Sequence, residues 1–222
     1  MSWSGGKDCC LALYELQRAG ISVEALLTTL TADDDRISMH GVRRTLLERQ
    51  AASLGVVLHP VSIPKNAANA AYESAMGEAF REYRERGVRT VAFGDLFLED
   101  VRAFREALLA RHGMEGVYPV WKRDTAAFVR KFLDLGFKAV ATCVDGRALS
   151  PDFAGRLIDE RFLSALPPHV DPCGENGEFH SFVFDGPSFQ EPIRFSIGET
   201  VLREGFWVCD LLPEEDAPSP GA

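Results

Sequence analysis

The chain has 222 residues and a formal charge of −9, with 46% hydrophobic and 26% charged residues. That mixture builds one large domain or a medium and a small one around a substantial core, and the acidic balance argues against nucleic acid or an anionic membrane as the main partner. No apolar run approaches the ~18 residues that span a bilayer, the N-terminus lacks a signal-peptide layout, and five scattered cysteines without a C-x-x-C pair fit reduced thiols in a cytoplasmic protein.

Taken in chain order, "SWSGGKDCCLALYELQ" reads as strand, glycine loop and helix, the helix running from about Asp8 to Ala19 with Cys10, Leu13 and Leu16 facing inward. Val23 to Thr31, Val56 to Ile63, Thr90 to Asp95 and Gly116 to Trp121 read as strands buried on both faces. Between them, Val42, Leu46, Leu47, Ala51 and Leu54 mark one amphipathic helix, and Tyr72, Ala75, Met76, Ala79, Phe80 and Tyr83 another. Gly20, Gly55 and Gly87 fall where helices end. This alternation predicts an α/β fold, a Rossmann-like parallel sheet with helices on both faces, whose ligands bind beyond the carboxyl ends of the strands.

After Trp121 the pattern changes. A helix over Thr125 to Leu135, a strand over Lys138 to Asp145 and a helix over Asp152 to Leu166 are followed by "FHSFVFDGP", "PIRFSIGETVL" and "EGFWVCDLL", which alternate as antiparallel strands. The expected division is a nucleotide-binding domain over residues 1–122, a smaller α+β substrate domain over 123–213, and a disordered tail over 214–222.

The loop carries the first chemistry. Gly5 and Gly6 permit a close backbone approach, and the helix start turns its N–H groups toward anionic oxygens. Ser4 adds a hydroxyl, Lys7 a cation and Asp8 a carboxylate able to meet magnesium. The spacing is neither a Walker A loop nor G-x-G-x-x-G. "SGGKDC" resembles the S-G-G-x-D-S loop of the ATP pyrophosphatases of adenine nucleotide alpha hydrolase type. Together with "RISMHGVRRTLLERQAASLG", "VAFGDLFLEDVRAFRE", "GVYPVW", "DPCGENGEFHSFVFDGP" and "GFWVCDLL", the chain resembles the diphthine–ammonia ligase family in its bacterial form. Two departures stand out. Cys9 replaces the usual serine, a weaker hydrogen-bond donor, and only Met1 to Trp3 precede the loop, so either the first strand is short or the natural start lies upstream.

The resemblance implies ATP and Mg²⁺, with Ser4, Gly5, Gly6, Lys7, Asp8, Cys9, Thr28, His40, Gly94 and Asp95 holding the nucleotide and Asp8 meeting the metal. Taken alone, Glu175, Asn176, Glu178 and His180 in "CGENGEFHSF" read as an Asn-Gly turn dressed with solvated acids. The resemblance makes them, with Lys7 and Asp8, the catalytic set that holds the acceptor or ammonia and manages protons. By itself Asp95 reads equally as a cap for a helix beginning near Phe97. The implied reaction is an ATP-dependent amide-forming ligation through an acyl-adenylate. In the family the acceptor is a modified histidine of the translocation elongation factor, whereas a bacterial member is expected to use another carboxylate. Thiolation-type modification of tRNA and a non-catalytic nucleotide sensor are the alternatives, and homo-oligomerisation is left open.

Overall fold

The computed structural model describes residues 1–33, 35–37, 41–65 and 68–214. His40 and the tail beyond Glu214 lie outside them. The chain proceeds through α1 (Lys7–Arg18), β1 (Ala25–Thr31), β2 (Arg36–Ile37), α2 (Arg44–Leu54), β3 (Val57–Ile63), α3 (Asn69–Glu85), β4 (Thr90–Ala92), α4 (Glu99–Arg111) and β5 (Glu115–Val117). The second half holds α5 (Thr125–Asp134), β6 (Lys138–Asp145), α6 (Glu160–Ala165), β7 (Phe179–Asp185), β8 (Phe195–Arg203) and β9 (Phe206–Pro213).

Two parallel ladders, β1 with β3 and β4 with β5, are joined by the three residues that open the chain. Trp3 N donates to Leu27 O at 2.8 Å, Leu27 N to Met1 O at 2.8 Å, and Ser2 N to Ala92 O at 2.9 Å. The order across the sheet is therefore β3, β1, Met1–Trp3, β4, β5. The short first strand sits at the centre, where the chain's connections change side, and the glycine loop leaves from that point. Leu26 and Leu30 share a core with Leu11 and Leu13 of α1 and Leu46 and Leu47 of α2. On the other face Leu27, Val61, Val91 and Phe93 pack with Met76 and Phe80 of α3 and Leu108 and Leu109 of α4. Helices thus cover both faces, as the alternation predicts, and Gly20, Gly55 and Gly87 end helices with positive φ.

The second sheet is antiparallel, ordered β7-β6-β9-β8. Phe162, Phe179 and Phe182 are fully buried and belong to the same core as α1 and α2. Each ring contributes about 2–3 kcal/mol over an exposed one. One continuous core consequently runs through both sheets.

Three sequence expectations are corrected. The helix expected over Asp152 to Leu166 is a 3-10 turn at Pro151–Phe153, then an extended stretch, then α6. Gly155 takes φ +85°, and residues 155–158 lie against β6, with Gly155 N donating to Ala141 O at 2.7 Å and Ile158 N to Ala139 O at 2.8 Å. At this end β6 lacks β9, which pairs only with Cys143 to Asp145, so the segment takes up backbone groups that burial would otherwise strand. β4 and β5 are three residues each, shorter than expected. Finally, α4 begins at Glu99 with Leu98 as its cap, which frees Asp95 from a capping role.

Candidate active site

The loop is set by contacts from three directions. Gly5 has φ +74°, and a Cβ there would lie 2.8 Å from Leu47 Cδ2 and 2.9 Å from Gln50 Oε1, so only glycine fits. Its carbonyl accepts from Val183 N of β7 at 2.9 Å and from Gln50 Nε2 at 3.0 Å. Gln50, fully buried, also donates to Val183 O at 2.6 Å and accepts from Trp3 Nε1 at 2.8 Å. Gly6 N donates to Ser4 Oγ at 3.3 Å, and Lys7 N to Ser181 Oγ at 3.1 Å. Gly6 caps α1 without a side chain of its own, and the helix dipole favours negative charge at the loop mouth. Gly94 allows β4 to approach that turn, since a Cβ there would meet Cys9 N at 2.8 Å.

Lys7 is 2% exposed, its Nζ 2.9 Å from Asp8 Oδ2. Burial disfavours the ammonium charge, but the attraction of Asp8, helped by Glu175, outweighs it and raises the pKa above the usual lysine value. Burial raises Asp8 against the pull of Lys7, and its Oδ1 is buried without a hydrogen-bond partner. Asp95 also titrates higher through burial, with Arg105 Nη1 3.1 Å from Oδ2 as counter-charge. Cys9 Sγ lies 3.4 Å from Ser4 Oγ and 3.7 Å from Ser2 O, whereas Cys10 points into the core. The two thiols do not form a pair.

The loop from Asp171 to Glu178 lines, through residues 173–177, the same cavity of about 560 Å³ as Ser4, Lys7, Asp8 and Cys9. Glu178 builds that loop. Its carboxylate accepts from Asp171 N at 3.0 Å, Asn176 N at 3.0 Å and Asn176 Nδ2 at 3.1 Å. These bonds overcome the effect of burial and lower its pKa. Asp171 anchors the loop to α5 through Thr125 Oγ1 at 2.7 Å and accepts from Cys173 N at 2.8 Å. Glu175 is thereby held with Oε1 accepting from Leu96 N at 2.9 Å. Burial, then the Asp8 charge, push its pKa up to about 7. Burial, then Lys7, lower His180 to about 4, so its imidazole is neutral near pH 7.

Ser4, Lys7, Asp8, Cys9, Gly94, Asp95, Glu175, Asn176 and His180 all line the cavity. Gly5, Gly6 and Glu178 stand behind that lining and shape it. Thr28 is buried on the opposite face of β1, and strand alternation presents Thr29 instead. Gln50, Arg105 and Asp171 are site-forming residues beyond the sequence expectation. Gln50 carries a legible signal, since it occupies an inward position of the Leu46, Leu47, Ala51, Leu54 stripe, where a polar residue requires buried partners.

A glycine loop leading from the central strand of a parallel sheet into an open helix terminus, with buried charge at its mouth, defines a nucleotide-binding α/β protein. The family models described as diphthamide synthase N-terminal domain and C-terminal domain match residues 1–116 and 124–210. The chain belongs to the diphthamide synthase family, and with it to the ATP-dependent carbon–nitrogen ligases. It is similar to diphthine–ammonia ligase of Danio rerio, 26% identical over 90% of this chain and 87% of that one. The Homo sapiens diphthine–ammonia ligase is 23% identical over 90% of this chain and 83% of the relative. That of Schizosaccharomyces pombe is 23% identical over 94% of this chain but 38% of the longer relative.

Proposed function

We propose that the protein adenylates a substrate carboxylate with release of pyrophosphate, then transfers the acyl group to ammonia or an amine with release of AMP. The observation that carries this reading is that Lys7, Asp8 and Glu175 line one cavity. The relatives are named for joining ammonia to diphthine, and two sites of complementary charge suit such a reaction.

In this reading Lys7 and the first turn of α1 hold the phosphates and stabilise negative charge as the bond between α-phosphorus and pyrophosphate breaks. The unpartnered Asp8 Oδ1 and the nearby Asp95 carboxylate suit Mg²⁺, which is held by one or two carboxylates and otherwise by water and phosphate. When bound, the ion would neutralise phosphate charge. Leu27, Met76, Leu98 and Val101 are apolar members of the cavity lining and in this reading take the base. Ammonium must lose a proton before its nitrogen attacks the acyl carbon. Glu175, with a pKa near neutrality, accepts that proton, and neutral His180 orients the acceptor. Residues 1–122 supply the nucleotide site, and 123–213 the proton-handling side and part of the acceptor site.

The test is product analysis. Full-length protein is incubated with magnesium, ATP, ammonium and a small-metabolite extract, and the nucleotides are separated. AMP and pyrophosphate are expected in the presence of extract. ADP and phosphate as the products would overturn the mechanism.

A further inference from the structure

A second cavity of about 710 Å³ adjoins the first, sharing Thr29, Ile37, Tyr72, Arg105 and His180 as a common wall. Each volume lies within the roughly 300–1,000 Å³ range of small-ligand sites. With the nucleotide assigned to the first cavity, the second remains for the acceptor. Among the described residues its charged lining is Arg36, Lys65, Arg105 and Arg203 against the single acid Glu204. Asp210 and Asp95 neutralise Arg36 and Arg105. Lys65 has only an exposed contact with Glu204 at 3.6 Å, and Arg203 has no ion pair among the described residues. Arg36, Lys65, Arg203 and Glu204 also ring an open depression at the mouth of the cavity. With Arg36 neutralised, Lys65 and Arg203 face one acid there, in contrast with a chain whose formal charge is −9.

We propose that the second cavity binds the acceptor and selects a carboxylate bearing another anionic group, carboxylate or phosphate, at its far end, held by Lys65 and Arg203. The carboxylate nearest the shared wall then meets the nucleotide, and the distal anion rests at the mouth. Assigning the cavity to the acceptor rests on the ligase reading, whereas its preference for anions rests on the lining alone.

The experiment is calorimetric titration of the full chain, with magnesium and a non-hydrolysable ATP analogue present. The probes are glutarate, 3-phosphoglycerate, butyrate and γ-butyrobetaine, whose far ends are anionic, anionic, neutral and cationic. The two dianions are expected to bind about tenfold or more tightly than butyrate, with γ-butyrobetaine the weakest. The double variant Lys65→Gln, Arg203→Gln should bring all four within about twofold. Both side chains are exposed, so the fold is retained. A preference for butyrate or γ-butyrobetaine, a dianion preference that survives the double variant, or no binding of either dianion overturns the proposal. Failure of the ligase reading is distinguishable, because it appears as ADP in the product analysis while dianion binding persists.

Discussion

Glu175 and His180 illustrate what a single residue gives up by facing a reaction cavity. Glu175 has its pKa raised to about 7, so the folded chain takes up its proton at a pH where the unfolded chain, near 4.5, does not. Its contribution to stability is present at low pH and is lost as pH rises through 7. His180 is lowered to about 4. The unfolded imidazole charges as pH falls below ~6.5, the folded one does not, and stability is lost on the way down to 4. Between these limits the two slopes oppose one another. The two single variants should therefore shift the unfolding free energy between pH 6.5 and 4.5 in opposite senses relative to wild type. Glu175→Gln should make it fall with falling pH, and His180→Gln should make it rise, as read by urea unfolding across that range. Glu175→Gln should also raise the melting temperature at pH 8 while reducing AMP formation by about 100-fold or more. A stability gain without loss of turnover would remove Glu175 from the proton path.

At position 9 the thiol points toward Ser2 O at 3.7 Å and Ser4 Oγ at 3.4 Å. A hydroxyl would form stronger bonds there and stiffen the loop, a gain of about 0.5–1 kcal/mol. Cys9→Ser is expected to lower the KM for ATP by about two- to fivefold, measured in the AMP assay. An unchanged KM would make the cysteine neutral for binding.

Among the elements, α2 exerts the most control over the site. Gln50 connects Trp3, Gly5 and Val183 from one buried position. Gln50→Leu keeps the approximate volume but leaves an indole N–H and a carbonyl without their bonds, at a cost of about 2–3 kcal/mol in unfolding free energy. Chevron or equilibrium urea data check this, and a cost below about 0.5 kcal/mol would mean that water replaces the amide.

The elements also show what could be seen in the sequence. Periodicity exposed α1, α2, α3 and the core strands because each repeats a local pattern over several turns or pleats. The loop was legible because Gly5, Gly6 and Lys7 are adjacent in the chain. The partners of Gln50 and Asp171 are not legible, since Val183 and Thr125 lie more than 40 residues away, where no local window reaches. Residues 152–166 failed for the same reason. Their composition suits a helix, but the unfilled edge of β6 imposes an extended path on residues 155–158. Glu178 was legible as part of the cluster but not in its role, because only the fold shows its carboxylate turned inward onto Asn176 and Asp171.

For the whole molecule, the two halves meet through charge as well as core. Asp210 on β9 accepts from Arg36 Nη1 at 2.8 Å and from Arg43 Nη2 at 2.6 Å. Burial would raise its pKa, but the two guanidinium hydrogen bonds dominate and hold it well below the usual carboxylate range. Its contribution is therefore complete above ~4 and is lost as pH falls further. Asp210→Asn should lower the melting temperature at pH 7 by a few degrees, with the difference from wild type closing as pH falls below ~4. A difference that stays constant across that range would make the contact one of shape and not of charge.

The loop that is to hold phosphate precedes β7 in the chain by a long way, yet Lys7 N is bonded to Ser181, 174 residues later. At about 5–20 residues per second, the nascent loop waits roughly 10 to 35 s for β7 to emerge and set it. During that interval the partly made chain has the glycines and the lysine but no finished cradle, so nucleotide binding becomes a mark that synthesis has passed β7.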